Sequence, residues 1–196
     1  MKIIGNKQSK WLIIGMVVLV LAVGIVLFAV FHKNPIPKPP FETQEFDNEL
    51  CSFEIPADWE PYGEVSDTGQ LLFVPSGADT SKSVSNVSVN LSASAGKKAS
   101  LEEMYEEFRL SFEDTVTEVY PQASDFYYSD YEAPNHTVFQ THYTVRTDST
   151  TAVCTQYYPL LKNAVLVVTA TDVGDETGDE VEAIAQHIVN TFQEKK

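Results

Sequence analysis

Hydrophobic and polar positions follow three regimes along this chain. From Trp11 to Phe31 no polar face interrupts the apolar residues, and at about 1.5 Å per residue a helix over this run reaches roughly 31 Å, the hydrocarbon thickness of a bilayer. The run predicts a transmembrane helix over 11–31. Lys33-Asn-Pro-Ile-Pro-Lys-Pro-Pro40 follows, and closely spaced prolines hold an extended, semi-rigid conformation that joins neither helix nor sheet interior. Beyond residue 45 the pattern becomes that of a folded domain.

Within that domain short apolar alternations predict strands. Cys51, Phe53 and Ile55 alternate with Ser52 and Glu54 until Pro56-Ala-Asp-Trp59 breaks the pattern,. Leu71–Val74 and the alternating Val87, Val89 and Leu91 read as the next two strands. Phe126–Ser129, Val138–Arg146 and a hairpin of Thr151–Leu160 with Ala164–Thr171, turning at Lys162-Asn163, add four more,.

Two segments carry helical spacing instead. Ser100-Leu-Glu-Glu103 is a capping box, followed by Leu101, Met104, Tyr105, Phe108 and Phe112 on one stripe,. Val181, Ile184, Ala185, Ile188, Val189 and Phe192 form the stripe of a final helix. Neighbouring strands joined by short turns imply an antiparallel sheet, and the helices must cover at least one of its apolar faces. The expected class is α+β, with six to seven antiparallel strands flanked by helices.

Charge separates these regimes further. All 28 acidic residues lie beyond residue 40, against eight of the 13 basic ones, so residues 41–196 carry a formal charge of −20. Such a field repels nucleic acid, whose phosphates are bound by Lys and Arg, and nucleic-acid binding is excluded as an expectation. The apolar run is too long for a cleavable signal peptide and ends without a small-residue cleavage site, so it reads as an uncleaved signal anchor. Lys2, Lys7 and Lys10 precede it and Lys33 and Lys38 follow it. That bias places the N-terminus in the cytoplasm and the acidic domain outside. The expected organisation is a cytoplasmic segment 1–10, a single membrane pass 11–31, a stalk 32–45 and an extracytoplasmic domain 46–196.

The order of elements, the opening Phe53-Glu-Ile-Pro-Ala-Asp-Trp59, the hairpin ahead of the last helix and the ending Ile188-Val-Asn-Thr-Phe192 resemble the PsbP-like family. That family is named for an extrinsic subunit of photosystem II. The resemblance spans residues 46–193 and implies an antiparallel sheet sandwiched by helices, with a history of binding roles. Its motifs are packing motifs, and no functional residue of the family carries over. Photosynthesis does not carry over either, because the lysine-flanked anchor and proline stalk resemble those of a bacterial cell-surface protein.

Candidate chemistry is sparse. Asp172, Asp175, Glu176, Asp179, Glu180 and Glu182 cluster, but a calcium loop counted from Asp172 has Gly174 at its third position and Thr177 at its sixth, where Gly is required,. Acidic residues at the start of a helix are better read as serving its positive end. His32, His136, His142 and His187 have no partner at metal-ligand spacing. His187 falls off the apolar stripe of its helix, and His142 shares a strand face with Gln140 and Thr144, so both read as surface or half-buried residues. No G-x-S-x-G elbow, G-x-G-x-x-G or phosphate loop is present. No catalytic residue, metal or cofactor is nominated.

Cys51 and Cys154, expected outside the cytosol, are either a disulfide closing a loop of about 100 residues or two buried thiols on separate strands. The aromatic segment Phe126-Tyr-Tyr-Ser-Asp-Tyr131 supplies the one candidate partner surface, Tyr127, Tyr128 and Tyr131, because tyrosine offers large contact area with a polar handle. Core packing in a strand is the competing reading. The expected function is non-enzymatic: a membrane-tethered extracytoplasmic domain that binds a protein partner or supports an envelope complex. A small-ligand-binding or sensing module is the alternative, and a hydrolase with an unrecognised site the third.

Overall fold

The computed structural model of the chain describes residues 36–63, 70–93, 101–148, 150–161, 164–174 and 179–195. The expected membrane helix, the cap Ser100 and the turn Lys162-Asn163 lie outside them. Among the described residues no helix is long and apolar enough to cross a membrane.

Among the described residues ten strands and two helices follow in the order β1 (Thr43–Asp47), β2 (Cys51–Pro56), β3 (Trp59–Pro61), β4 (Gln70–Pro75), β5 (Asn86–Ala93), α1 (Leu101–Val119), β6 (Ala123–Glu132), β7 (Thr137–Arg146), β8 (Thr151–Pro159), β9 (Ala164–Val173), α2 (Asp179–Thr191) and β10 (Gln193–Glu194). Seven strands form one antiparallel sheet in the order β3-β4-β5-β9-β8-β7-β6, and β1-β2-β10 form a small second sheet. The α+β class and the seven-stranded antiparallel sheet are as expected. Its membership is not: Cys51–Pro56, read as the first strand of a single sheet, belongs to the small one, and Trp59–Pro61 takes the end place in the large one.

Alternation assigns each face of the large sheet to a different helix. One face presents Val87, Val89, Leu166, Val168 and Tyr157 to Val181, Ile184, Ala185, Ile188 and Val189 of α2, with Phe53 and Ile55 of β2 closing the same cluster. Rings interlock here, Phe53 lying 5.0 Å from Phe46 and 5.6 Å from Phe73. The opposite face carries a smaller cluster in which Val116 of α1 meets Tyr143, Val145 and Cys154, with Phe112 and Phe126 against it. The second of the chain's two units, Ile36–Lys196, is therefore layered as α1, large sheet, then α2 with the small sheet.

β1 begins at Thr43, inside the span read as stalk, because Gln44 has work to do in the fold. Its amide donates to the carbonyls of Pro56 at 3.2 Å and Trp59 at 2.7 Å, closing the turn between β2 and β3. Lys195 pairs with Asp47, and Lys195 N–H bonds the Leu50 carbonyl, so the chain's last strand is tied to its first hairpin.

Candidate functional site

The three tyrosines of β6 do not share a surface. β6 pairs with β7 through Tyr127↔His142, Tyr128↔Thr141 and Tyr131↔Val138, so Tyr127 and Tyr131 face α2 while Tyr128 faces α1. The Tyr128 hydroxyl donates to Glu113 of α1 at 3.2 Å, and burial together with that carboxylate pushes it up to about 12. Tyr131 is half-buried against the main core, its ring edge-on to Tyr157 at 6.4 Å, and its hydroxyl has no hydrogen-bond partner among the described residues. Tyr127 alone stays open, 47% exposed, and its ring lies flat on His142 at 4.4 Å.

Under that stack sits a polar cluster. His142 Nδ1 is 2.9 Å from Thr155 Oγ1 and 3.5 Å from Glu182 Oε1, and the Thr155 hydroxyl donates to Glu182. A hydroxyl has one proton, so Thr155 accepts from His142, which fixes Nδ1 as the protonated nitrogen. The order of donation is thus imidazole to hydroxyl to carboxylate. A base-activated nucleophile needs the reverse, with the hydroxyl donating to the imidazole, and Thr155 is fully buried. The cluster holds Tyr127 in place from below and anchors the first turn of α2 to β8.

His187 is a correction to the reading of its helix. It is 5% exposed, with Nε2 donating to Glu54 Oε2 at 2.8 Å and the Phe41 ring edge-on at 5.7 Å. Thr191 Oγ1 donates to the His187 carbonyl at 2.8 Å and accepts the Glu54 N–H at 3.0 Å. A stripe analysis supposes that one side of a helix is buried, whereas α2 is covered by the large sheet on one side and by β2 and the Phe41 segment on another. His136 is half-buried in the β6–β7 connection, its Nε2 donating to the Val189 carbonyl at 3.2 Å, and burial lowers its pKa.

Cys51 and Cys154 are free thiols, both buried. The disulfide alternative fails on geometry, since Cys51 belongs to the cluster beneath α2 and Cys154 to the one beneath α1, on opposite faces of the large sheet. Burial pushes Cys51 up to about 11 and raises Cys154 as well.

The acidic stretch is divided among structural tasks. Buried Asp172 accepts from Ser85 Oγ at 2.6 Å, Glu182 is taken by Thr155, and residues 175–178 lie outside the described set. Among the described residues no group of three or more His, Cys, Asp or Glu could hold a metal. A groove of about 380 Å³ runs between the β1–β2 hairpin and the end of α2, lined by Ile36, Thr43, Glu45, Ser52, Glu54 and Thr191. The sequence offered no signal for it, because it is built by β1 and β10, which alternation did not reveal.

No family model and no curated protein matches this sequence. Solved structures do match its fold. The solution structure of cyanobacterial PsbP (CyanoP) from Synechocystis superposes with a TM-score of 0.54 at 13% identity, over 83% of this chain and 96% of that one. A crystal structure from Bacteroides thetaiotaomicron gives 0.51 at 12% identity over 78% of this chain, which spans 48% of that protein. LpqN of Mycobacterium tuberculosis, described as involved in cell envelope biogenesis, gives 0.49 at 13% identity over 79% and 91%. The fold is PsbP-like.

Proposed function

We propose that this PsbP-like domain is a non-enzymatic binding module, held outside the cytoplasm by the apolar segment 11–31 and its proline stalk, and that it engages a protein partner at the membrane. The observation that carries the reading is Tyr127. A large aromatic ring is displayed on the terminal strand of the sheet and held by stacking on a half-buried, hydrogen-bonded histidine. Rigid tyrosines offer contact area at low entropic cost, the property that enriches them at interfaces. The internal wiring of Thr155, His142 and Glu182 supports a positioning role for the polar cluster.

Affinity purification of the tagged full-length chain from solubilised membranes tests this. A stoichiometric protein partner, lost in Tyr127→Ala, supports the reading. Recovery of no partner, together with a small-molecule-induced rise in melting temperature, moves the function to the sensing alternative, for which the 380 Å³ groove is the natural site,. Hydrolysis of an ester panel abolished by one substitution would move it to catalysis.

A further inference from the structure

We infer that the groove on the outer face of the small sheet is a binding site for a small aliphatic amine, whose ammonium group bridges Glu45 and Glu54. The groove lies on a different sheet from Tyr127, and the inference goes beyond the partner-binding reading without resting on it.

Register builds the site. β1 and β2 pair through Glu45↔Glu54, Phe46↔Phe53 and Asp47↔Ser52, and β2 meets β10 through Ser52↔Gln193. Phe46 and Phe53 stack against one another in the core, so alternation turns Thr43, Glu45, Ser52, Glu54 and Gln193 to the other face. These five residues line the groove of about 380 Å³, and Ile36, an apolar residue 45% exposed, supplies one wall. The volume suits a small organic molecule.

Two independent observations give the ligand its chemistry. The first is the opposition of charge. Like charges directly opposite on neighbouring strands destabilise a sheet, and in that arrangement Cβ atoms stand about 5 Å apart. Glu45 and Glu54 are such a pair. Nearby cations leave the repulsion in place: Lys195 is taken by Asp47, the His187 Nε2 donates to one oxygen of Glu54 at 2.8 Å, and neither Glu45 nor Lys38 makes an ion pair among the described residues. The second observation is Ser52. It is only 9% exposed and lines the groove, and its hydroxyl makes no hydrogen bond among the described residues. Buried hydroxyls are ordinarily paired, and this one faces the space beside the two carboxylates.

An ammonium group answers both. It carries three donors and no acceptor, so two can satisfy Glu45 and Glu54 in charge-assisted bonds while the third is offered to Ser52 Oγ. The aliphatic body of the ligand then lies against Ile36. An anion is repelled by the same carboxylates.

The test titrates the full-length chain, in nanodiscs of zwitterionic lipid, with 1,5-diaminopentane, its uncharged counterpart 1,5-pentanediol and the anion glutarate. Calorimetry reads affinity, and amide chemical shifts locate the site. The diamine is expected to shift Glu45, Ser52 and Glu54 and to bind at least tenfold more tightly than the diol, with no binding of glutarate. Glu45→Gln is expected to weaken the diamine at least tenfold and Ser52→Ala several-fold, whereas Glu118→Gln, at an exposed position of α1, changes nothing. Without ligand, Glu45→Gln should melt no lower than the native chain, because it removes a repulsion, so that lost binding is not lost folding. The inference is overturned if the diol binds as tightly as the diamine, if Glu45→Gln binds the diamine undiminished or melts lower, or if Glu118→Gln weakens binding equally, the mark of diffuse attraction to a domain of charge −20. None of these outcomes bears on a partner captured through Tyr127, which stands or falls by its own purification.

Discussion

His187 shows how far a polar side chain can be drawn into this fold when its partners travel with it. Its imidazole is enclosed by Phe41, α2 and β2, and its Nε2 donates to Glu54. Truncation leaves both a cavity and a carboxylate without its donor, so His187→Ala is expected to cost about 2–4 kcal/mol in urea unfolding. A loss below about 0.5 kcal/mol would mean that the side chain is not enclosed as described. His136 gives a pH signature. Burial holds its folded pKa below the ordinary 6.5, so below that pH the unfolded chain binds the proton first. The associated stability is present above the unfolded pKa and is lost as pH falls from about 6.5 toward the folded value. His136→Gln should flatten that part of the stability–pH curve. The thiols give a third outcome. With Cys51 near 11 and Cys154 also raised, neither should react with iodoacetamide in the native protein, and both should react after denaturation without reductant. A requirement for reductant would contradict the free-thiol assignment.

Elements differ in how much of the molecule depends on them. α2 lies between two layers with Ile184, Ile188 and Val189 fully buried, whereas α1 lies over one end of the sheet and displays Leu110 at 73% exposure. Ile188→Ala should therefore cost about 2–5 kcal/mol, Leu110→Ala no more than about 0.5 kcal/mol, and amides of α1 should exchange before those of α2. The same difference governs what was legible in the sequence. β7, β8 and β9 were read nearly to their ends, because one-sided burial writes itself into the pattern, whereas the stripe read for α1 stops at Phe112 and the strand read for β6 at Ser129, short of Val119 and Glu132. β1 carries a single aromatic in Thr43–Asp47, β10 has two residues, and β3 follows a turn that reads as a break. Their stability comes from distant partners such as Gln44 and Lys195, which local periodicity does not encode. The corridor in which His187 lies was hidden for the same reason.

At the scale of the molecule, composition divided the chain into an apolar run, a proline stalk and one strongly acidic domain, and the PsbP-like fold accounts for residues 43 onward. The aromatic segment on β6 stood out in the sequence, but its division between two faces did not. A bulge at Ser124–Tyr127 resets which residues alternate together, and only the register with His142, Thr141 and Val138 shows that Tyr127 is the open ring. The candidate site is therefore one residue stacked on a wired histidine on the terminal strand of the sheet, where composition suggested a patch of three.

Site-specific photo-crosslinking in intact membranes tests that site most directly, with a photoreactive side chain placed at Tyr127 on β6 or at Glu60 on β3, the opposite end of the sheet. The expected result is a single protein adduct from position 127 and none from position 60. Equal adducts from both positions, or none from position 127 while the chain is present at normal level, would contradict a partner-binding role for this edge.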